Sequence, residues 1–317
     1  MIISASRRTD IPAFYVDWFM ERVRAGYFLR VNPFNSRQVT GFSLKPEDVD
    51  AICFWTKNPR PLMKHLNELD DRGLNYYFQF TLNSYGTIFE PHVPPLLERI
   101  ETMVELAGRI GPERVVWRYD PIILSSVTPV AYHLEQLTHL AGLLGNATRR
   151  LVFSFCDFYG KGQGRLRRAL AGTGIVSVDI AAPEHGATLQ QLAQKMAAIA
   201  DHHHLQIFTC CEDIDLSAAG IRHGACIDAE LIRELFAAPV TARKDKNQRE
   251  ACGCAQSADM GSYNTCPFTC IYCYANFNEG TIVSNCRKHH PESPALLHEY
   301  DGEVEIRTRI RKKEATG

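Results

Sequence analysis

Short apolar runs, each closed by a polar cluster and followed by a stretch with helical spacing, recur from the N-terminus to about residue 210. That rhythm predicts repeated βα units. The predicted strands cover residues 2–6, 51–55, 76–81, 115–118, 151–155 and 205–209. Helices are expected over 14–25, 61–71, 94–110, 131–144 and 188–202, where apolar residues return every three or four positions. The stretch 28–44 reads differently: two β-rich runs flank Asn32-Pro33-Phe34-Asn35-Ser36, the pattern of a hairpin inserted after the first helix. The fold class that follows is α/β, a partial (β/α)6 TIM-like barrel over 1–215 with a hairpin insertion near 28–44. Residues 216–317 then form a cysteine-rich extension packing on the barrel mouth.

The polar residues directly after each strand change the picture from fold to chemistry, because the active groups of a βα barrel gather at the carboxyl ends of its strands. They include Arg7, Arg8 and Asp10, then Lys57 and Asn58, Asn83 and Tyr85, Arg118 and Asp120, Asp157 to Lys161, and Glu212. Each alone serves equally as a helix cap or a surface ion pair. Six such clusters on one rim predict a large polar site, with Arg8, Asp10, Lys57, Asn58, Arg118, Asp120 and Lys161 as the residues expected to meet substrate or cofactor. Tyr119, Tyr159 and Cys156 stand in or beside these clusters. The triplet His202-His203-His204 sits at a helix end, where exposed histidines are ordinary.

Composition adds the cysteines. The chain has 317 residues, is 45% hydrophobic and carries a formal net charge of −1, so no global field favours nucleic acid or an anionic membrane. No stretch approaches the roughly 20 apolar residues of a membrane span, and the N-terminal apolar run is too short for a secretory signal. A cytoplasmic protein is expected, and there eleven cysteines point to metal binding or catalysis rather than disulfides. Nine of the eleven fall between Cys210 and Cys286.

The segment Cys266-Pro-Phe-Thr-Cys270-Ile-Tyr-Cys273 is the strongest signal. Three thiolates on one short loop can ligate three irons of a [4Fe–4S] cluster and leave the fourth open for chemistry. A zinc knuckle is the plain alternative, but zinc prefers four closed ligands and this triplet has no fourth partner at fixed spacing. Upstream, Cys210 or Cys211, Cys226, Cys252 and Cys254 could close around either a second iron–sulfur cluster or a structural zinc. Adjacent Cys210 and Cys211 cannot both point the same way if they continue a strand. Cys53, Cys156 and Cys286 read as free or core thiols. The basic bridge 241–250 is either a solvated linker or a source of cations for an anionic ligand.

Together, Ser4-Ala-Ser-Arg-Arg-Thr-Asp-Ile-Pro12, Phe54-Trp-Thr-Lys-Asn-Pro59, Tyr77-Phe-Gln-Phe-Thr81, Trp117-Arg-Tyr-Asp-Pro121 and Asp259-Met-Gly-Ser-Tyr-Asn-Thr-Cys266 resemble the bacterial family catalogued as domain of unknown function 1848. Its members resemble radical S-adenosylmethionine (SAM) proteins of the spore photoproduct lyase kind, and Tyr274-Ala-Asn is similar to the residues after that motif there. The resemblance implies a [4Fe–4S] cluster on Cys266, Cys270 and Cys273 beside the aromatic Tyr272. It also implies SAM as cofactor, cleaved to a 5′-deoxyadenosyl radical acting on an unknown substrate, and a reductant such as flavodoxin or ferredoxin. In the usual radical SAM order the cluster loop follows the first strand; here it follows all six. Either the barrel is permuted so that this loop folds back over the rim, or the cluster has another task such as electron transfer.

Two other functions compete. A nucleic-acid-binding or repair protein with a structural cluster or zinc would use Arg7, Arg8, Arg165, Arg167, Arg168 and the 243–249 bridge, and its binding would weaken steeply with salt. A hydrolase using Asp10, Asp120 and Glu212 would work without iron.

Overall fold

The computed structural model describes residues 1–32, 35–156, 161–297, 300 and 304–308, with the side chains of 36 and 161–163 left aside. In chain order the first half runs β1 (Ile2–Ala5), α1 (Ile11–Phe14), α2 (Val16–Ala25), β2 (Tyr27–Asn32), β3 (Asn35–Ser43), β4 (Ala51–Thr56), α3 (Arg60–Met63), α4 (Leu66–Asp71), β5 (Tyr76–Thr81), α5 (Leu96–Ile110) and β6 (Val115–Ile122). The second half runs β7 (Leu124–Ser125), α6 (Val130–Leu144), β8 (Arg150–Phe155), α7 (Lys161–Leu170), β9 (Ser177–Val178), α8 (Gly186–His202), β10 (Gln206–Cys210), β11 (Arg222–Gly224), α9 (Ala229–Phe236), β12 (Ser257–Asp259), α10 (Glu279–Lys288) and β13 (Ile306–Arg307).

The main sheet has eight strands in the order β11-β10-β8-β6-β5-β4-β1-β12, every pair parallel. The α/β expectation holds and all six predicted strands are present. The sheet is two strands wider than expected because β11 and β12 are three residues each, too short to leave an apolar run in the sequence. Both outer strands come from the segment after residue 215, so the cysteine-rich region contributes to the sheet itself. The hairpin of β2 and β3 is antiparallel, as the pattern required.

Alternation along the strands divides the core. One set of side chains, among them Ile3, Phe54, Phe78, Trp117, Phe153 and Ile207, belongs to a core shared with Trp18 and Phe19 of α2, Met103 of α5, Leu140 of α6 and Leu192 of α8. The opposite set, Ile2, Cys53, Tyr77, Val116, Val152 and Phe208, is buried with Cys226, Ile227, Cys252, Cys254 and Ile232 of α9. Asp228 caps α9 by accepting from the backbone N–H groups of Glu230 and Leu231, a device that contributes about 1 kcal/mol.

Two helices differ from expectation. The first begins at Ile11, earlier than residue 14, because Asp10 accepts the N–H of Ala13 and starts a separate turn. The helix predicted over 61–71 is broken at Lys64 and His65 into α3 and α4. No described helix is long and apolar enough to cross a membrane.

Candidate functional site

β12 lies beside β1, with Ser257 opposite Ile2 and Asp259 opposite Ser4. The chain leaving β12 therefore emerges at the carboxyl end of β1 and runs directly into the Cys266 loop. Asp259 fixes this junction: its carboxylate accepts from Ser4 Oγ at 2.9 Å, Ser6 Oγ at 2.8 Å, and the N–H groups of Arg7 and Gly261 at 3.0 Å each. Thr9 Oγ1 donates to the Ser262 carbonyl at 3.0 Å, and Tyr15 donates its hydroxyl to the Thr265 carbonyl at 2.6 Å. A Cβ at Gly261 would stand 2.0 Å from Ser6 Oγ, so only glycine permits this approach.

The three cysteines of the loop share one electrostatic neighbourhood with each other and with the rim of β1 and β4. Cys266 accepts the Asp10 N–H, and Cys273 accepts the Ala275 N–H at 3.4 Å. Burial holds the Cys266 thiol well above its ordinary range, reinforced by Asp10, Cys273 and Cys270. Burial also pushes Cys270 up to about 12, against the pull of Lys57. Asp10 is buried beneath them and caps α1; burial raises it to about 7 although its carboxylate accepts the Lys57 N–H at 2.7 Å. Arg165 of α7 braces the loop from outside through the carbonyls of Thr269, at 3.0 Å, and Asn276.

Tyr272 points inward and donates to Glu90, a residue that no sequence motif singled out. Glu90 is paired with Lys57 at 2.7 Å and faces Arg99 at 3.7 Å. Burial opposes its ionisation, yet Lys57 and Arg99 outweigh that and hold its carboxyl below the ordinary range. The Lys57 ammonium also lies 5.6 Å from the Tyr272 ring centroid. Lys57 and Asp10 are thus beside the Cys266–Cys273 loop.

The other predicted residues separate into two groups. Arg118 and Asp120 form an ion pair, Asp120 also accepts from Ser154 Oγ, and Arg118 donates to Cys226 Sγ. Trp55 lies between guanidinium groups, with Arg118 at 5.0 Å and Arg7 at 5.8 Å from its ring. This polar patch stands next to the upstream cysteines rather than Cys266. Asn58 is a local cap, its amide oxygen accepting the Arg60 N–H, and Arg8 stacks on Tyr263 at 4.8 Å. Lys161 begins α7, while its side chain and residues 157–160, with Tyr159, lie outside the described residues. Glu212 is spent on the Phe155 N–H at 2.8 Å.

The 241–250 bridge turns its acid inward, not its cations: buried Asp245 faces Arg7 at 3.6 Å. Arg7, counted from sequence among phosphate-binding groups, instead faces Asp245, with Asp259 and Cys254 in its electrostatic neighbourhood. Among the described residues, no group of three or more His, Cys, Asp or Glu side chains is drawn tightly enough to hold a metal ion as it stands. The donor chemistry nevertheless fits a cluster at Cys266, Cys270 and Cys273: three soft ligands on one loop, with backbone N–H groups donating to two of the sulfurs. Beside the loop a groove of about 550 Å³ opens between Phe14, His92, Thr269, Ile282 and Cys286.

The family model described as Domain of unknown function (DUF1848) matches residues 2–275. No curated protein matches the chain. Among solved structures, one titled as a candidate alpha-L-fucosidase from Bacteroides thetaiotaomicron aligns at 12% identity, covering 62% of this chain and 86% of its own, with a TM-score of 0.27. That score is too low to bear on fold or activity.

Proposed function

We propose that this chain, which belongs to the DUF1848 family, is a radical SAM enzyme whose [4Fe–4S] cluster is held by Cys266, Cys270 and Cys273. The observation that carries this reading is the placement of β12 beside β1. It supports a permuted partial barrel, in which the strand leading into the cluster loop is last in sequence but neighbours the first in space. The sequence order that set this chain apart from the usual pattern is then a matter of connectivity rather than of site geometry.

A cluster held by Cys266, Cys270 and Cys273 would supply low-potential one-electron chemistry for the reductive cleavage of SAM. The chain's own residues do the rest. Asp10 and Ala275 present N–H groups to the sulfurs and favour their thiolate form. Tyr272, anchored on Glu90, fixes the turn between Cys270 and Cys273 and covers the Lys57–Glu90 pair. Arg118, Asp120, Ser154 and Trp55 form a polar patch at the carboxyl ends of β4, β6 and β8, beside the upstream cysteines, where a substrate with polar groups would be oriented.

The test is anaerobic reconstitution with iron and sulfide, then electron paramagnetic resonance of the reduced protein with and without SAM, beside the Cys266→Ala/Cys270→Ala/Cys273→Ala variant. A signal that shifts on adding SAM and is missing from the variant supports the reading. A signal indifferent to SAM, or a protein filled by zinc alone at this loop, overturns it.

A further inference from the structure

Five thiols from three separate segments meet on the second sheet face. Cys226, Cys252 and Cys254 are buried in one cluster with Cys210 and Cys211 packed against it, and Cys226 neighbours Cys210 and Cys254 while Cys252 neighbours Cys254 and Cys211, so the sulfurs form one unbroken series. None of the five is in a disulfide. Cys210 closes β10, while Cys211 has a left-handed φ of 61°, which turns the chain and lets neighbouring cysteines both serve the group. That conformation removes the objection that two consecutive strand residues point apart.

Two glycines allow the segments to approach. A Cβ at Gly224 would meet Phe208 Cβ and the Thr209 carbonyl at 2.8 Å each, beside Cys210. A Cβ at Gly253, between Cys252 and Cys254, would stand 3.1 Å from the Gly224 carbonyl. Cationic groups line the sulfurs. Arg118 donates to Cys226, Arg7 lies within electrostatic reach of Cys254 and Cys226 with a buried Nη2 that has no hydrogen-bond partner, and the Ile227 N–H points at Cys254 at 3.4 Å.

We propose that Cys226, Cys252, Cys254 and one or both of Cys210 and Cys211 form a second thiolate site, binding a thiophilic metal centre separate from the Cys266 loop. Thiols used only for packing act as small apolar groups and gain nothing from facing one another or from buried guanidinium groups. Thiolates on a metal need both. A zinc ion with four thiolates leaves two negative charges, and an iron–sulfur cluster held by cysteines is likewise anionic, so donors and cations around the sulfurs stabilise either. Loading replaces the thiol protons by metal–sulfur bonds and releases them to solvent. The site adjoins Arg118 and Asp120 and so would form the floor of the polar patch.

The proposal is independent of the Cys266 cluster and is tested without it. The full-length Cys266→Ala/Cys270→Ala/Cys273→Ala variant is incubated with zinc alone, or anaerobically with ferrous iron and sulfide, then desalted and its metal and sulfide measured. Retention of about one zinc, or of iron and sulfide with a charge-transfer absorption, supports the site and names its centre. A further Cys226→Ser/Cys254→Ser change should abolish retention, while Cys286→Ser should not. Alkylation mapped by mass spectrometry covers the case in which that variant misfolds: Cys226, Cys252 and Cys254 should be protected after loading and labelled after a chelator. Absence of retained metal in both arms, loading unaffected by Cys226→Ser/Cys254→Ser in a folded protein, or labelling indifferent to chelator overturns the proposal.

Discussion

The Lys57 ammonium stands 2.7 Å from Glu90 Oε1, an ion pair with side-chain exposures of 12% and 1% directly against the Tyr272 ring. Neither residue is near the other in sequence, and their meeting ties the end of β4 to the Pro-rich turn before α5 and to the Cys266–Cys273 loop. Breaking the pair from one side leaves a buried charge with less compensation, which is more costly than removing both partners.

Lys57→Met is therefore expected to destabilise the protein by about 3 kcal/mol, the lower end of the range for a broken buried pair, because Arg99 still faces Glu90. Lys57→Met/Glu90→Gln should recover a large part of that loss. Urea unfolding of the two variants beside the parent measures both; equal stabilities for single and double variants would contradict the account.

Gly261→Ala places a methyl group 2.0 Å from Ser6 Oγ and should cost about 2 kcal/mol through overpacking. The N-terminal segment and the cluster loop would be pushed apart, so iron retained after reconstitution should fall together with the melting temperature. Ser6→Gly in the same chain removes the two clashing Ser6 atoms, leaving Thr9 Oγ1 at 2.9 Å, and should restore part of each; iron content and thermal melting of single and double variants check it.

Asp259→Ala leaves four donors, Ser4 Oγ, Ser6 Oγ and two backbone N–H groups, without their acceptor, three of these bonds lying at the edge between β1 and β12. A loss of about 3 kcal/mol is expected from unsatisfied buried donors. Asp259→Asn keeps one acceptor oxygen and should fall between the two. Hydrogen exchange at the Arg7 and Gly261 amides should accelerate in the order parent, Asn, Ala.

His133 gives a pH signature remote from the cysteines. Its Nε2–H donates to the Ile123 carbonyl and its Nδ1 accepts from the Tyr119 hydroxyl, and burial lowers its pKa to about 4. The unfolded chain binds a proton near pH 6.5 that the folded chain refuses until about pH 4. Its contribution is therefore full above 6.5 and is lost as pH falls toward 4, by up to about 3 kcal/mol. His133→Gln should flatten the parent's stability profile across that window in chemical denaturation; parallel profiles would refute it.

Much of the architecture was legible before any coordinates. Apolar runs such as Tyr76–Thr81 and Leu151–Phe155 specify strands because both faces of a parallel sheet are buried, and the residues after them, Asp10 and Lys57 among them, fall at the rim for the same reason. The Cys266, Cys270 and Cys273 loop was equally plain, since its spacing is local. These are readable from the sequence because each depends on residues a few positions apart. Glu90, the seat of Asp259 among Ser4, Ser6 and Arg7, the three-residue strands β11 and β12, and the gathering of Cys210 and Cys211 with Cys226, Cys252 and Cys254 depend on segments up to 255 residues apart. They emerge only in the folded chain, because a strand this short draws its hydrogen bonds and its burial from the sheet it joins and carries little preference of its own.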